Sequence, residues 1–160
     1  MVDCVILGGG NIGDAKGRLC KAEQAISARI GAVVSRSEWY TTEAWGFESG
    51  SSFTNVAWVV RTALSATEVL ETLLDIEACL GRDRKREYVD KVLSRQSYAD
   101  RVLDLDILLY GEAVVVTPHL QVPHPRLLER EFALVPMCDA LGISTDQGRE
   151  MVVNIVKNEI

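Results

Sequence analysis

Arg101-Val102-Leu103-Asp104-Leu105-Asp106-Ile107-Leu108-Leu109-Tyr110 is the stretch around which the rest of the chain is read. From Leu103 to Tyr110 two acids interrupt an otherwise apolar run, the pattern of a buried strand. Side chains two apart on a strand share a face and stand about 6.6 Å apart along it. Asp104 and Asp106 are therefore expected to project together, with Leu103, Leu105, Ile107 and Leu109 on the opposite face. Two carboxylates in such a setting repel each other and lose hydration unless positive charge lies between them. A divalent cation is one solution, since hard oxygen ligands suit Mg²⁺ and phosphates fill its other positions. Ion pairing with arginines such as Arg101 is the other.

Upstream of this strand, residues 82–100 form a charged stretch expected to be largely irregular. The window 82–101 holds seven of the 17 basic residues against four acids, a local surplus of three, so that the rest of the chain carries −9 and the whole −6. A basic segment in an acidic protein points to a small anionic ligand rather than to nucleic acid. A solvated mobile loop and an anion-binding lid both fit so long a connection.

Toward the N-terminus, Val2 to Leu7 reads as a strand that stops at Gly8-Gly9-Gly10 in a tight turn. Asp14 then caps a helix over roughly 14–30, with Leu19, Ala22, Ala25, Ile26 and Ile30 on one face. Gly8, Gly10 and Gly13 spell G-x-G-x-x-G, the spacing of a dinucleotide site, but such a site needs repeated strand–helix alternation. Here two strands follow in succession, Val33 to Tyr40 and Phe53 to Arg61, so the glycines read as a turn that sets how the first helix packs. Between those strands lies a loop with Trp45 and Phe47, aromatics that either fold back as anchors or cover a flat ligand. Asn55, among apolar neighbours, needs hydrogen-bonding partners and offers a donor and an acceptor together.

A second helix spans Ala66 to Leu80, with Val69, Leu70, Leu73 and Ile76 inward and Glu77 near its C-terminal end, where the helix dipole disfavours an acid. A partner for Glu77 is therefore expected. Beyond the aspartate strand, Ala113 to Val116 reads as its hairpin partner. Pro118 to Arg126 is a rigid segment carrying both histidines, His119 and His124. A last helix begins near Thr145, with Met151, Val152, Ile155 and Val156 packing inward.

At 160 residues, 48% hydrophobic and 25% charged, the chain has the size and composition of one soluble domain spanning 1–160. Cys4, Cys20, Cys79 and Cys138 show no metal-ligand spacing and are expected as buried reduced thiols. The start lacks a basic leader with an apolar core, and no run reaches the ~18 apolar residues of a membrane span. The expected location is the cytoplasm.

Arg101 to Leu108, preceded by Gly8 to Asp14 and Asn55 and followed by Val122-Pro123-His124, resembles the 6-hydroxymethyl-7,8-dihydropterin pyrophosphokinase family of folate biosynthesis. The likeness runs in order from Leu7-Gly8 to about Leu141. It implies an α+β, ferredoxin-like βαββαβ sandwich with an antiparallel sheet, an added hairpin strand and a C-terminal helix. It also implies pyrophosphoryl transfer from ATP to the pterin's 6-hydroxymethyl oxygen, with AMP leaving. By motif, Asp104 and Asp106 would hold two Mg²⁺ ions, and Arg101 and Arg82 would be catalytic. Glu77, Arg84, Tyr98, His124 and Arg130 would lie on the nucleotide side, and Thr42, Trp45, Phe53, Asn55 and Phe132 would bind the pterin. The partners implied are these small molecules alone, with no nucleic acid, no membrane and a monomeric chain. The chain departs from the family pattern at Ala99-Asp100 before Arg101, at Pro125, at Leu74 and at Gly10, and in a longer stretch between Arg84 and Arg101.

Overall fold

A computed structural model describes residues 1–42, 52–94 and 101–160; Trp45, Phe47 and Tyr98 lie outside the described residues. Strand β1 (Val2–Gly10) leads into α1 (Ala15–Arg29), then β2 (Gly31–Arg36), β3 (Tyr40–Thr42), β4 (Phe53–Thr62), α2 (Ala66–Cys79), α3 (Arg84–Ser94) and β5 (Asp104–Tyr110). β6 (Val115–Val116), β7 (Gln121–Val122), a 3₁₀ turn at Leu127–Glu129, α4 (Glu131–Leu141) and α5 (Thr145–Lys157) complete the chain. The sheet is antiparallel in the order β2-β4-β1-β5, with β3 also paired to β4. This is the strand order of a ferredoxin-like βαββαβ unit.

Helices cover both faces. Cys4, Ile6, Val56, Trp58 and Leu105 pack against Leu19, Ile26, Leu73 and Ile76 of α1 and α2. Val5, Leu7, Ala57, Val59 and Leu108 pack against Leu134, Met137, Val152 and Ile155 of α4 and α5. Burial on both sides is why β1 and β4 read as continuous apolar runs rather than alternating ones. Trp58, fully buried, satisfies its indole by donating Nε1–H to Glu23 Oε1 at 2.7 Å.

The caps follow sequence chemistry. Asp14 accepts from Gly17 N, and Ser65 and Glu68 form a reciprocal capping box at α2. A second box, Ser144 with Gln147, opens α5.

Several expectations are corrected. β1 does not stop at Leu7; it runs to Gly10, and its glycines serve close approach rather than a turn. A Cβ on Gly8 would sit 2.6 Å from the Trp58 ring, and one on Gly10 would sit 2.6 Å from the Val102 carbonyl. The strand expected over Val33 to Tyr40 is broken at Ser37. There the Oγ accepts from Ala57 N and donates to Glu38 O, taking the chain out of the ladder. Residues 84–94 are helical, not irregular: Asp83 caps the first turn through Arg86 N, and Arg86 pairs with Asp90 one turn on. The segment 113–116 contributes β6, which pairs with β7 and not with the aspartate strand. Phe132–Met137 lies within α4, a helix not anticipated. Of the four free cysteines, Cys4 and Cys138 are buried, whereas Cys20 and Cys79 are exposed.

The aspartate strand carries one irregularity. Val5 pairs with Leu109 and Ile6 with Ile107, so Leu108 is an extra residue, a β-bulge. Leu103, Leu105 and Ile107 face α1 and α2 as expected. Past the bulge the alternation is re-phased: Leu109 joins Leu108 against the α4–α5 side, and Tyr110 turns toward the other core.

Candidate active site

Three neighbouring strands supply the floor of a cavity. Gly9 pairs with Asn55 on one side and Asp104 on the other, and Leu7 pairs with Asp106. Because Gly9 has no side chain, the space between the Asn55 amide and the Asp104 carboxylate stays open. A Cβ there would lie 2.5 Å from Asn55 Oδ1. Thr42, opposite Phe53 on β3, accepts from Asn55 Nδ2 at 3.3 Å. Arg130 and Phe132, at the start of α4, close another side, with the Arg130 guanidinium 5.5 Å from the Phe132 ring centre. Thus Thr42, Phe53, Asn55, Arg101, Asp104, Asp106, Arg130 and Phe132 line one cavity, which gathers an amide, two aromatic rings, two arginines and the acidic pair.

Asp106 also lines a second depression, whose walls include Leu70, Gln121, His124 and Pro125. His124 is placed there by its backbone N–H, which donates to Leu108 O, while its Nδ1 accepts from Arg126 N. Burial, helped by the charge of Arg130, holds its pKa below the ordinary imidazole value. Asp106 thus lines both cavities.

The two aspartates are not equivalent. Asp104 accepts from Arg82 Nη1 at 2.9 Å and from Arg101 Nη1 at 3.0 Å. Burial alone would raise its pKa, but the two arginines outweigh it and hold the carboxyl below its ordinary value. Asp106 has only the charge of Arg101 in its favour, and that is outweighed. Burial first, then the charges of Asp104 and Glu77, push it up to about 8. A carboxyl held protonated near neutrality for want of a counter-charge fits a cation-binding position. Among the described residues no group of three or more His, Cys, Asp or Glu side chains is placed to hold a metal ion. A cation held by these two carboxylates would therefore complete its shell with ligand and water oxygens, the habit of Mg²⁺.

Glu77, 2% exposed, lies beneath the site and lines neither cavity. Its partners are Arg82 Nη1 and Arg84 Nη2, both at 2.9 Å, and the backbone N–H of Leu105 at 2.7 Å. It ties α2 to the aspartate strand and anchors Arg82, which accounts for an acid at that helix end.

Sequence reasoning missed Asn11 and Glu87. Asn11 is buried; its Oδ1 accepts from Arg101 N at 2.8 Å, and its own N–H donates to Arg101 O at 3.0 Å, pinning the backbone of Arg101 from both sides. Nothing local in the sequence marks a contact made 90 positions away. Glu87 holds two nitrogens of Arg82. Its signal was its position in the first turn of α3, invisible while that segment was read as irregular.

A family model described as 7,8-dihydro-6-hydroxymethylpterin-pyrophosphokinase matches residues 5–142. The 2-amino-4-hydroxy-6-hydroxymethyldihydropteridine pyrophosphokinase of Porphyromonas gingivalis is 35% identical over 132 residues, 82% of this chain and 85% of that protein. Its namesakes in Methylorubrum extorquens and Bacillus subtilis are 38% and 35% identical over the same share of this chain, covering 77% and 73% of their own lengths. Among solved structures, a Plasmodium falciparum HPPK-DHPS triple mutant with STZ-DHP superposes with a TM-score of 0.68 at 12% identity. The match covers 98% of this chain and 44% of that one. The wild-type protein with pteroate gives 0.66 at 11% identity, with 99% and 46% covered. This chain thus spans less than half the length of those two, and the likeness to them is one of fold.

Proposed function

We infer the activity from kinship: the chain belongs to the 7,8-dihydro-6-hydroxymethylpterin-pyrophosphokinase family, and it transfers pyrophosphate from ATP to the 6-hydroxymethyl group of 6-hydroxymethyl-7,8-dihydropterin, releasing AMP, in folate biosynthesis. The pterin oxygen bonds to the β-phosphorus, the bond from that phosphorus to the α–β bridging oxygen breaks, and the hydroxyl proton is lost.

The observation that carries the residue assignments is that Asp106 lines both cavities. The first takes the pterin: Asn55 and Thr42 read its polar edge, and Phe53 and Phe132 supply faces for a flat ring. The second, with His124, takes the nucleotide. Beside Asp106 the hydroxymethyl group meets the β-phosphorus, and alignment there supplies much of the rate. Asp104 and Asp106 would hold Mg²⁺, which would supply positive charge to offset the charge that develops on the phosphates. Arg101 and Arg82 direct planar, permanently charged forks at the same oxygens. Arg84, paired with Glu77 outside both cavities, and Arg130, on the wall of the first cavity, are assigned to the nucleotide as further positive charge. The chain acts as one catalytic unit over 1–160, as a monomer in the cytoplasm, on small molecules and not on nucleic acid. No described helix is long and apolar enough to cross a membrane.

Incubation with ATP, Mg²⁺ and hydroxymethyl-dihydropterin, followed by chromatography of the nucleotides, tests this. AMP and pyrophosphorylated pterin in equal amounts are expected. ADP would mean transfer of one phosphoryl group, and no product would leave a binding protein without chemistry; either outcome overturns the reading.

The floor of the pterin cavity gives a sharper test. In Gly9→Ala the new methyl displaces the Asn55 amide, so pterin affinity should fall about ten-fold or more, as for a site built to hydrogen-bond its substrate. Nucleotide affinity should stay within about two-fold, below the ~1 kcal/mol scale of one neutral hydrogen bond. Equal losses of both, measured by titration calorimetry, would contradict the division of the cavities.

A further inference from the structure

The arrangement around Arg82 goes beyond what phosphate binding requires. Its side chain is 4% exposed and holds three carboxylates. Nη1 donates to Glu77 and Asp104, while Nε and Nη2 donate to the two oxygens of Glu87 at 2.9 and 3.0 Å. That Nε–Nη2 edge is where a guanidinium takes two oxygens at once, from phosphate as readily as from carboxylate. Glu77 and Asp104 are each shared with a second arginine, Arg84 and Arg101. Among the described residues, Glu87 pairs with Arg82 alone.

The three acids also differ in what carries them. Glu77 sits on a helix packed into the core, and Asp104 is fixed in the sheet. Glu87 sits on α3, which buries none of its residues and leaves Tyr88, Val89, Val92 and Leu93 exposed. Among the described residues, α3 holds the body by side-chain ion pairs only through Arg84 to Glu77 and Glu87 to Arg82. We propose that Glu87 is a displaceable stand-in for phosphate: it occupies Arg82 in the free protein, and an entering triphosphate exchanges it for phosphate oxygens and loosens α3. A polyanion arriving beside Glu77, Glu87 and Asp104 is repelled by all three, and the acid on the helix that buries no residue is the one able to withdraw. Glu87 is thus a positioning residue that keeps Arg82 aimed and paired between substrates. This rests on the nucleotide reading given above.

The test is calorimetric titration of the full chain with Mg²⁺ and α,β-methylene-ATP, in which the bond to be cleaved is blocked. Glu87→Gln keeps the shape and removes the competing charge, so the analogue should bind about ten-fold tighter, the factor that corresponds to one net charge-assisted hydrogen bond. Asp90→Asn, on the same helix but paired with Arg86, removes an equal charge and should leave affinity within about two-fold, as an exposed pair is worth little. Should Glu87→Gln fail to fold, Glu87→Asp keeps the charge, shortens the reach and should gain a smaller factor. As a second readout, amide exchange over 88–93 should quicken in the wild-type protein at saturating analogue. Unchanged or weaker binding by the Glu87 variants, equal gains in Asp90→Asn, or slower exchange would overturn the proposal. A wild-type protein that does not bind the analogue would instead overturn the nucleotide reading on which it rests.

Discussion

Asp106→Asn is expected to lower turnover by about a thousand-fold or more, the scale of removing a principal electrostatic stabiliser of the transition state. The substitution keeps the volume and the hydrogen-bonding edge and deletes only the charge that would ligate Mg²⁺ at the position lining both cavities. Loss of fold is separable from loss of chemistry, because the metal-free protein should respond in the opposite direction. In the folded chain Asp106 keeps its proton up to about pH 8, against an ordinary carboxyl value of 3.8. Between those values the folded state binds more protons than the unfolded one. Stability therefore falls as pH rises through that window and levels off above it. Asparagine does not titrate, so the variant escapes this loss. Urea midpoints in EDTA should diverge from pH 4 to 8, with the variant the more stable at pH 8.5. Turnover near the wild-type value, or a variant that is inactive because it is unfolded, would count against the assignment of Asp106.

Arg101→Ala should reduce kcat by about a hundred-fold to a thousand-fold while moving the KM for the pterin by less than about three-fold. Asn11 clamps the backbone of Arg101 on both sides, and its guanidinium already touches the Asp104 carboxylate. The side chain is thus aimed before substrates arrive, so little of its contribution is spent on ordering. Arg101→Lys should recover only part of the loss, since a point charge replaces a planar fork. Steady-state kinetics with each substrate varied in turn would check both. A rise in pterin KM with kcat unchanged would move Arg101 out of the chemical step.

Much of this molecule was legible along the chain because burial imposes periodicity. Leu19, Ala22 and Ile26 announced α1, and Asp14 marked its start within one residue. The aspartate pair was legible for the converse reason, since charge in an apolar strand has few explanations. What stayed hidden lacked either signal. Helix α3 buries nothing, so it has no apolar stripe to detect, and its caps and charges resemble those of a solvated loop. Gly8, Gly9 and Gly10 suggested a turn because glycine permits one. Only the neighbours across the sheet, Trp58 and Asn55, show that it is the missing side chain, not the backbone freedom, that matters. Asn11 and Glu87 act on arginines whose positions depend on the completed fold. Of the residues named by resemblance, Thr42, Phe53, Asn55, Arg101, Asp104, Asp106, His124, Arg130 and Phe132 line the two cavities; Arg82, Arg84 and Glu77 form the ion-pair cluster behind Asp104, and Trp45 and Tyr98 lie outside the described residues.

The extra residue at Leu108 splits the aspartate strand into two segments of opposite phase. The first brings Asp104 and Asp106 to the wall of the cavity; the second sends Tyr110 the other way, where its hydroxyl donates to Leu64 O at 2.5 Å. With a regular pleat, a side that displays carboxylates at one end could not give up Tyr110 to the opposite layer at the other. The inserted leucine therefore insulates the carboxylate-bearing end from the anchoring end, and each can change its residues without dictating those of the other.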